Sequence, residues 1–227
     1  MRTTSTEHYD EAYFREHFAH LLADDGYYDI LSQYWMRTIF GQLAQLGPLA
    51  ESRILDYGCG TGVVTASCPH ASCFDVSPFA CRLLRDRGRT VYERVQDIPS
   101  SAFDLVLCSH SLEHYVNPRE ALETFHSYID NMGLLLLILP KEVDLAVRLY
   151  GDNNQHYYCW TFQTLANLLL SCDWEPVFGA ELYGPFMLRT ARHLLPPAIA
   201  VSVANKLGHI KKSFPSIMML ARGRKHV

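Results

Sequence analysis

Three glycines and an acidic residue lie close together after a short apolar stretch. Gly58, Gly60 and Gly62 are separated by single residues, and Asp56 precedes them. Glycines at such a turn let the backbone approach a ligand closely and present its N–H groups. A dinucleotide-binding fingerprint needs a small residue at position 63, where the chain has Val63. The carboxylate of Asp56 would repel a pyrophosphate, so the turn favours a ligand that carries an ammonium group.

Two further acidic residues follow the next apolar stretches of the chain. Asp75 ends the second stretch, where a carboxylate can accept hydrogen bonds from both hydroxyls of a ribose. Asp97 lies with Ile98 in the loop after the third stretch. Three acidic residues and three glycines at successive strand ends predict a single binding site for a ligand with a ribose.

Three histidines, His110, His114 and His156, follow the fourth and fifth predicted strands. Histidine suits proton transfer near neutral pH, so each is a candidate general base. His156 is the first choice because it lies in a polar loop beside aromatic residues, and His114 is the second. A histidine here can equally serve to hydrogen-bond a backbone carbonyl, and the sequence leaves both roles open.

These residues need a scaffold that gathers strand ends at one edge. The predicted strands cover 53–57, 72–76, 90–95, 103–108, 134–139, 174–178 and 216–221. The predicted helices cover 27–46, 79–86, 118–131, 161–172 and 198–207, with another starting after Gly62. Apolar strands that alternate with helices indicate a sheet covered on both faces. The predicted fold is α/β: a doubly wound, Rossmann-like, mostly parallel seven-stranded sheet with an N-terminal helical lid.

The lid is assigned to residues 1–48, and the remaining residues 49–227 form the predicted ligand-binding domain. Tyr9 and Tyr13, four residues apart, would share one helical face over the site. Together with Tyr157 and Trp160 they are the predicted substrate-binding residues.

The run at 56–62, Asp-Tyr-Gly-Cys-Gly-Thr-Gly, resembles the first motif of class I S-adenosylmethionine-dependent methyltransferases. The resemblance extends from about residue 53 to residue 178. The segments 103–107, 111–118 and 156–161 are similar to the small-molecule and ubiquinone-type branch of that family. S-adenosylmethionine is therefore the expected cofactor.

The resemblance also implies roles for individual residues. Asp97 would meet the adenine amine, and Ile98 would cover the ring. The cofactor-binding residues expected on this basis are Asp56, Gly58, Cys59, Gly60, Gly62, Asp75, Val76, Asp97, Ile98 and Ser109.

A metal site is weighed against this interpretation. The sequence His110-Ser-Leu-Glu113-His114 matches a zinc-protease pattern, but such short matches arise readily. Some ubiquinone-type and small-RNA methyltransferases hold a divalent ion with Glu-x-x-Glu-His at this point. Here His110 replaces the first glutamate, which disfavours a hard cation. We predict no metal.

Composition narrows the class of protein. The chain has 227 residues, of which 48% are hydrophobic and 19% charged, and it has no long apolar run or signal-like start. Its seven cysteines are never spaced Cys-x-x-Cys, which fits a reducing compartment, so a cytoplasmic location is expected.

Charge is distributed unevenly. All acidic residues lie at or before Glu181, whereas eight lysines and arginines follow it. The basic tail could meet an anionic substrate, a lipid headgroup or nucleic acid. We expect a solvated surface instead, because aromatic residues do not alternate with the basic ones as they do in single-stranded nucleic-acid binders. For the helix predicted at 198–207 a core or dimer-interface position is favoured over a membrane-surface anchor, so a homodimer is considered.

The predicted function is methyl transfer from S-adenosylmethionine to a small-molecule acceptor, with oxygen favoured over nitrogen or carbon. Two alternatives remain: a non-catalytic scaffold that binds the cofactor, and a nicotinamide-dependent oxidoreductase.

Overall fold

Seven strands form one sheet in the computed structural model, which describes residues 9–142 and 155–224. The strands are β1 (Ile54–Tyr57), β2 (Ala71–Phe74), β3 (Thr90–Tyr92), β4 (Phe103–Ser109), β5 (Ile129–Pro140), β6 (Trp174–Leu182) and β7 (Ser216–Gly223). Their order is β3-β2-β1-β4-β5-β7-β6, and only β7 runs antiparallel to its neighbours. This mostly parallel Rossmann-like sheet confirms the predicted fold class.

The helices lie on both faces of the sheet. They are α1 (Glu11–Leu22), α2 (Asp25–Trp35), α3 (Gly41–Leu43), α4 (Pro78–Asp86), α5 (Pro118–Phe125), α6 (Phe162–Leu170), α7 (Leu188–Ala191) and α8 (Pro197–Lys211). Leu55 belongs to one core cluster with residues of α5 and α6, whereas Ile54 belongs to another with residues of α3. Successive residues of a strand thus enter opposite cores, which explains why both are apolar.

Two helix starts form as the sequence predicts. The Ser77 hydroxyl accepts a hydrogen bond from the backbone N–H of Ala80, and Pro78 occupies the first helical turn. Thr161 and Thr164 form a reciprocal capping box at the start of α6. Each side chain satisfies an N–H group that the helix leaves unpaired.

The prediction of a helix directly after Gly62 is wrong. Residues 63–67 form turns, and the N–H of Cys68 donates to the carbonyl of Thr65. Only eight residues separate Gly62 from the start of β2, and Pro69 has no N–H to donate. The first turn therefore presents its N–H groups without a helix behind it.

Other boundaries differ from the predictions. The helix predicted at 27–46 is divided by a π-helical turn, Met36–Phe40, and α5 ends at Phe125, well before the predicted residue 131. The fifth strand, predicted to start at residue 134, already begins at Ile129, so Gly133 lies inside β5. Strands β6 and β7 and helix α8 extend beyond their predicted ends, and β3 is shorter. The apolar pattern alone does not show where sheet pairing ends.

None of the described helices is long and apolar enough to cross a membrane. The division into a lid at 1–48 and a domain at 49–227 stays a prediction, and residues 1–8 lie outside the described part.

Candidate active site

A cavity of about 270 Å³ opens at the carboxyl ends of β1, β2 and β4, close to where the strand order reverses. Ligands of doubly wound sheets bind at this place, and small-molecule sites commonly start near about 300 Å³. The lining residues come from α1, the first turn and the segments after β2 and β4. They are Tyr9, Tyr13, Phe14, Phe18, Gly58, Cys59, Gly60, Thr61, Val63, Val64, Phe74, Asp75, Val76, Ser109, His110, Ser111, His114 and Tyr115.

The first turn leaves space that only glycine permits. Gly58 and Gly60 have positive φ angles of 73° and 53°. A Cβ at Gly58 would collide with the Ser111 hydroxyl. A Cβ at Gly60 would meet nothing closer than the Phe14 ring at 4.0 Å, and both residues line the cavity. A side chain at Gly60 would therefore extend into the cavity.

Asp75 lies beside this turn, with 8% of its surface exposed. Its two carboxylate oxygens accept hydrogen bonds from the N–H groups of Gly60 at 2.7 Å and Ser77 at 2.8 Å. Burial raises the pKa of this carboxyl, and the N–H donors act against that rise. Each oxygen keeps a second lone pair, so the carboxylate can also accept from a ribose. The open turn and this acceptor fit S-adenosylmethionine.

Asp56 and Gly62 lie behind the turn, outside the cavity lining. Asp56 is fully buried and accepts a hydrogen bond from the Thr65 hydroxyl at 2.6 Å. Burial raises its pKa to about 6. A Cβ at Gly62 would collide with Leu84 of α4, so this glycine permits close packing of that helix.

The predicted adenine-binding pair also lies outside the lining. Asp97 forms two hydrogen bonds with Arg94, both at 2.8 Å, and Ile98 is buried in the core cluster of α5 and α6. Their contact with the cofactor, like that of Asp56 and Gly62, stays a prediction. Cys59, Val76 and Ser109 do line the cavity.

The histidines gather at the other end of the cavity. His110 and His114 line it, and the ring of His156 packs edge-on behind His114 with centroids 4.8 Å apart. His156 Nδ1 lies 2.9 Å from a carboxylate oxygen of Glu142. Desolvation lowers the pKa of His110, which lines the cavity, to about 4. His110 is therefore neutral at pH 7.

Glu113 is buried at the centre of this cluster. Its carboxylate lies 3.8 Å from His110 Nδ1 and 4.0 Å from His156 Nε2. Neither oxygen has a hydrogen-bond partner among the described residues, and burial raises the pKa of this carboxyl to about 8. Ligand atoms of Glu113, His114 and His156 all lie within 4.8 Å of one another, so these three could hold a metal ion.

The aromatic residues predicted to bind substrate divide into two groups. Tyr9 and Tyr13 line the cavity, and their rings contact edge-on with centroids 5.2 Å apart. They do not share a helical face as predicted, because Asp10 caps α1 and Tyr9 precedes the helix. Tyr157 is 53% exposed and Trp160 is buried in the core, both outside the lining. The substrate-binding role of all four aromatic residues stays a prediction.

Phe14 and Phe18 of α1 also line the cavity, and the sequence-based prediction missed them. Phe14, Phe18 and Leu21 are spaced four and three residues apart, a helical pattern that could have revealed the apolar face of α1. The lining residues Ser111 and Tyr115 had no comparable signal.

The fold and the cavity define an α/β protein that binds its ligand at the switch point of the sheet. The profile of the methyltransferase domain family matches residues 31–177, and the chain belongs to this family. It is a class I S-adenosylmethionine-dependent methyltransferase. No curated protein matches the sequence.

Solved structures share the fold. A SAM-dependent methyltransferase from Thermotoga maritima is 14% identical, with a TM-score of 0.60 over 93% of this chain and 98% of that chain. A 1,6-didemethyltoxoflavin-N1-methyltransferase from Burkholderia thailandensis, solved with 1,6-didemethyltoxoflavin and S-adenosylhomocysteine, is 20% identical. Its TM-score is 0.52 over 91% of this chain and 90% of that chain. The cyclase SpnF is 20% identical, with a TM-score of 0.53 over 81% of this chain and 80% of that one.

Proposed function

We propose that the chain transfers a methyl group to an oxygen atom of a small-molecule acceptor bound in this cavity. One observation carries the proposal: a single cavity joins Gly60 and Asp75 at one end to His110 and His114 at the other. The methyl donor would bind at the first end, and the acceptor would then lie beside the histidines.

The histidines favour oxygen as the methylated atom. S-adenosylmethionine supplies a methyl group on a sulfonium, and displacement needs an acceptor lone pair aligned with it. A hydroxyl group must also lose its proton, whereas a neutral amine attacks with its own lone pair. A base at the acceptor end is therefore most useful for an oxygen acceptor.

His114 is the better placed base. It lines the cavity, whereas His156 lies behind it and contacts its ring. The Glu142 carboxylate fixes the ring orientation of His156, which suits a positioning residue. We therefore propose His114 as the proton acceptor and His156 as the residue that holds it, in contrast to the order that the sequence favoured.

Aromatic rings would exclude water from the reacting atoms. Tyr9 contacts the ring of His114 with centroids 5.9 Å apart, and Tyr13, Phe14 and Phe18 continue the lining along α1. Excluding water prevents a solvent molecule from competing with the acceptor and strengthens the interactions that hold it.

A metal ion at Glu113, His114 and His156 is a second candidate for activating the acceptor. The observation that favours it is the buried Glu113 carboxylate, which has no hydrogen-bond donor among the described residues. Two imidazoles and one carboxylate suit a transition metal better than magnesium. Elemental analysis of the purified protein separates the candidates: a bound stoichiometric ion that is lost in His156→Ala favours the metal.

The Burkholderia methyltransferase was solved with 1,6-didemethyltoxoflavin, which supports a small acceptor for this chain as well. Its name specifies methylation at nitrogen, so that relative argues for the acceptor class and not for oxygen. The expectation that nucleic acid is not the acceptor stays a prediction, and so does the possible homodimer.

The test is to incubate the full chain and S-adenosylmethionine with fractionated metabolites and to follow by mass spectrometry the gain of one methyl group. S-adenosylhomocysteine should form in equal amount. Carbon-13 spectra of the product made with a labelled methyl group then distinguish O-methyl from N-methyl. Binding of S-adenosylmethionine without methyl transfer to any fraction would favour the non-catalytic scaffold. Binding of NADH in place of S-adenosylmethionine would favour the oxidoreductase.

A further inference from the structure

Helix α8 has one buried face and one exposed face. Its small residues Ala200, Ala204 and Gly208 are buried in contact with the rest of the protein. Ile199, Val203 and Ile210 are 50%, 36% and 67% exposed, and Lys206 is exposed between them. The spacing of positions 199, 203, 206 and 210 places all four side chains on the same side of a helix. The outward side of α8 is thus an apolar stripe with a lysine in it.

Two further exposed apolar residues flank the helix in the sequence. Leu194 precedes α8 with 76% exposure, and Phe214 follows it with 83%. With Met187, six of the twelve large apolar side chains exposed in the described residues lie within 187–214, so these residues are concentrated in one part of the chain. Phe214 has a positive φ of 45°, which is unfavourable for a bulky residue. We call Leu194, Ile199, Val203, Ile210 and Phe214 the α8 apolar surface.

Basic residues outnumber acidic ones near this surface, although Lys212 is close enough to Glu181 to help lower the pKa of that carboxyl. No acidic residue follows Glu181 in the sequence, whereas Arg189, Lys206, Lys211 and Lys212 are exposed near α8. Among residues 9–142 and 155–224, no ion pair involves the three lysines. Lysine stems can lie along an apolar surface while their ammonium groups reach outward.

We propose that the α8 apolar surface docks onto an anionic lipid membrane, with the helix lying in the plane of the interface. Apolar side chains would enter the boundary between headgroups and acyl chains, and the surrounding lysines would meet the lipid phosphates. Charge selects this occupant over a second copy of the chain. In a two-fold dimer through this surface each partner would present its cluster of lysines to the other's, which is repulsive.

Vesicle flotation with the full chain tests the proposal. The probes are vesicles of phosphatidylcholine alone and of phosphatidylcholine mixed with phosphatidylglycerol, each at low and high salt. We expect binding to the mixed vesicles, weaker binding at high salt and little binding to phosphatidylcholine alone. Equal binding to both kinds of vesicle, or to neither, would overturn the proposal.

Two sets of variants locate the binding surface. Ile199→Ser, Val203→Ser and Ile210→Ser combined should reduce vesicle binding by about tenfold or more. The matched control combines Val116→Ser, Leu170→Ser and Val177→Ser, which removes three exposed apolar side chains elsewhere, 50%, 41% and 39% exposed, and should leave binding unchanged. Unchanged affinity for S-adenosylmethionine shows that each variant is folded.

Lys206→Glu with Lys211→Glu should also weaken binding to mixed vesicles while the apolar surface stays intact. Analytical ultracentrifugation without lipid distinguishes the rival occupant. A wild-type dimer that the three serines convert to a monomer, with no vesicle binding, would overturn the membrane proposal in favour of a second copy.

Discussion

The two ends of the cavity are built in different ways. The end at Gly58, Gly60 and Asp75 consists mainly of backbone, held by hydrogen bonds between residues at most 16 positions apart. The opposite end consists of side chains: Tyr9, His110, His114 and, behind them, His156, from segments spread over nearly 150 residues.

The difference between the two ends affects how each can vary among members of one family. A site made of backbone groups suits a cofactor that all members of the family share. Its shape depends on the glycines, so it cannot vary unless they are replaced. A side-chain site can exchange its residues one at a time while the sheet stays the same, which allows one fold to serve different acceptors. Substitutions at the first end should therefore weaken or abolish cofactor binding, and those at the second should affect turnover.

Gly60→Val should have the largest effect. Its side chain would enter the cavity, so we expect S-adenosylmethionine binding, measured by calorimetry, to be lost while the fold remains. Gly88→Val is the matched control, because Gly88 also has a positive φ but a Cβ there meets nothing within 4 Å. Both variants carry backbone strain of about 1–2 kcal/mol, and only the first should lose the ligand. Unchanged affinity in a folded Gly60→Val protein would contradict the assignment of this end.

His114→Ala tests the opposite end. If His114 is the general base, turnover should fall by roughly 10²- to 10⁴-fold while the affinity for S-adenosylmethionine stays nearly the same. His156→Ala should have a smaller effect on turnover, since that ring lies behind His114. The measurement is turnover against pH for wild type and both variants with an identified acceptor. If His114→Ala kept the full rate and an unchanged pH profile, His114 would not be the general base, and His156 would again be the first candidate.

Asp75→Asn should weaken binding without abolishing it. An amide cannot accept from Gly60, Ser77 and a ribose as a carboxylate does, so we expect a loss of about 1.5–3 kcal/mol. S-adenosylmethionine and S-adenosylhomocysteine should weaken alike, because both contain the ribose. Asp86→Asn, on the exposed side of α4, is the control. A loss confined to one of the two ligands would show that Asp75 does not meet their common part.

Asp56→Asn should have the smallest effect on binding and instead change stability. The pKa of Asp56 is raised to about 6, so the folded state holds this proton more tightly than the unfolded state does. Its stabilising contribution is complete below about pH 4 and is lost as the pH rises through 6. Asparagine keeps an acceptor for Thr65, so the variant should be about 2–3 kcal/mol more stable than wild type at pH 7 and equal at pH 4.

Denaturant unfolding at the two pH values measures this difference, with Thr65→Val as a check on the hydrogen bond. If Asp56→Asn instead lost cofactor affinity, Asp56 would belong to the ligand end of the turn, as the sequence suggested.

The sequence by itself determined the sheet, the first turn and the cofactor class. Gly58, Gly60 and Asp75 could be identified because their contacts are local, so spacing along the chain reports their geometry. Apolar strands between helices likewise specify a parallel sheet, whose strand ends must meet at one edge.

Only the tertiary structure decided which neighbours of the motif reach the cavity. Asp56 belongs to the same seven-residue run as Gly60, yet its side chain points behind the turn toward Thr65. Alternation along a strand sends adjacent residues to opposite faces, and a motif does not state which face meets the ligand. His156 and His114, 42 positions apart, come into contact because two loops leave neighbouring strand ends, and Glu113 is buried between them. Packing between distant parts of the chain determines these contacts, and no pattern along the sequence predicts them.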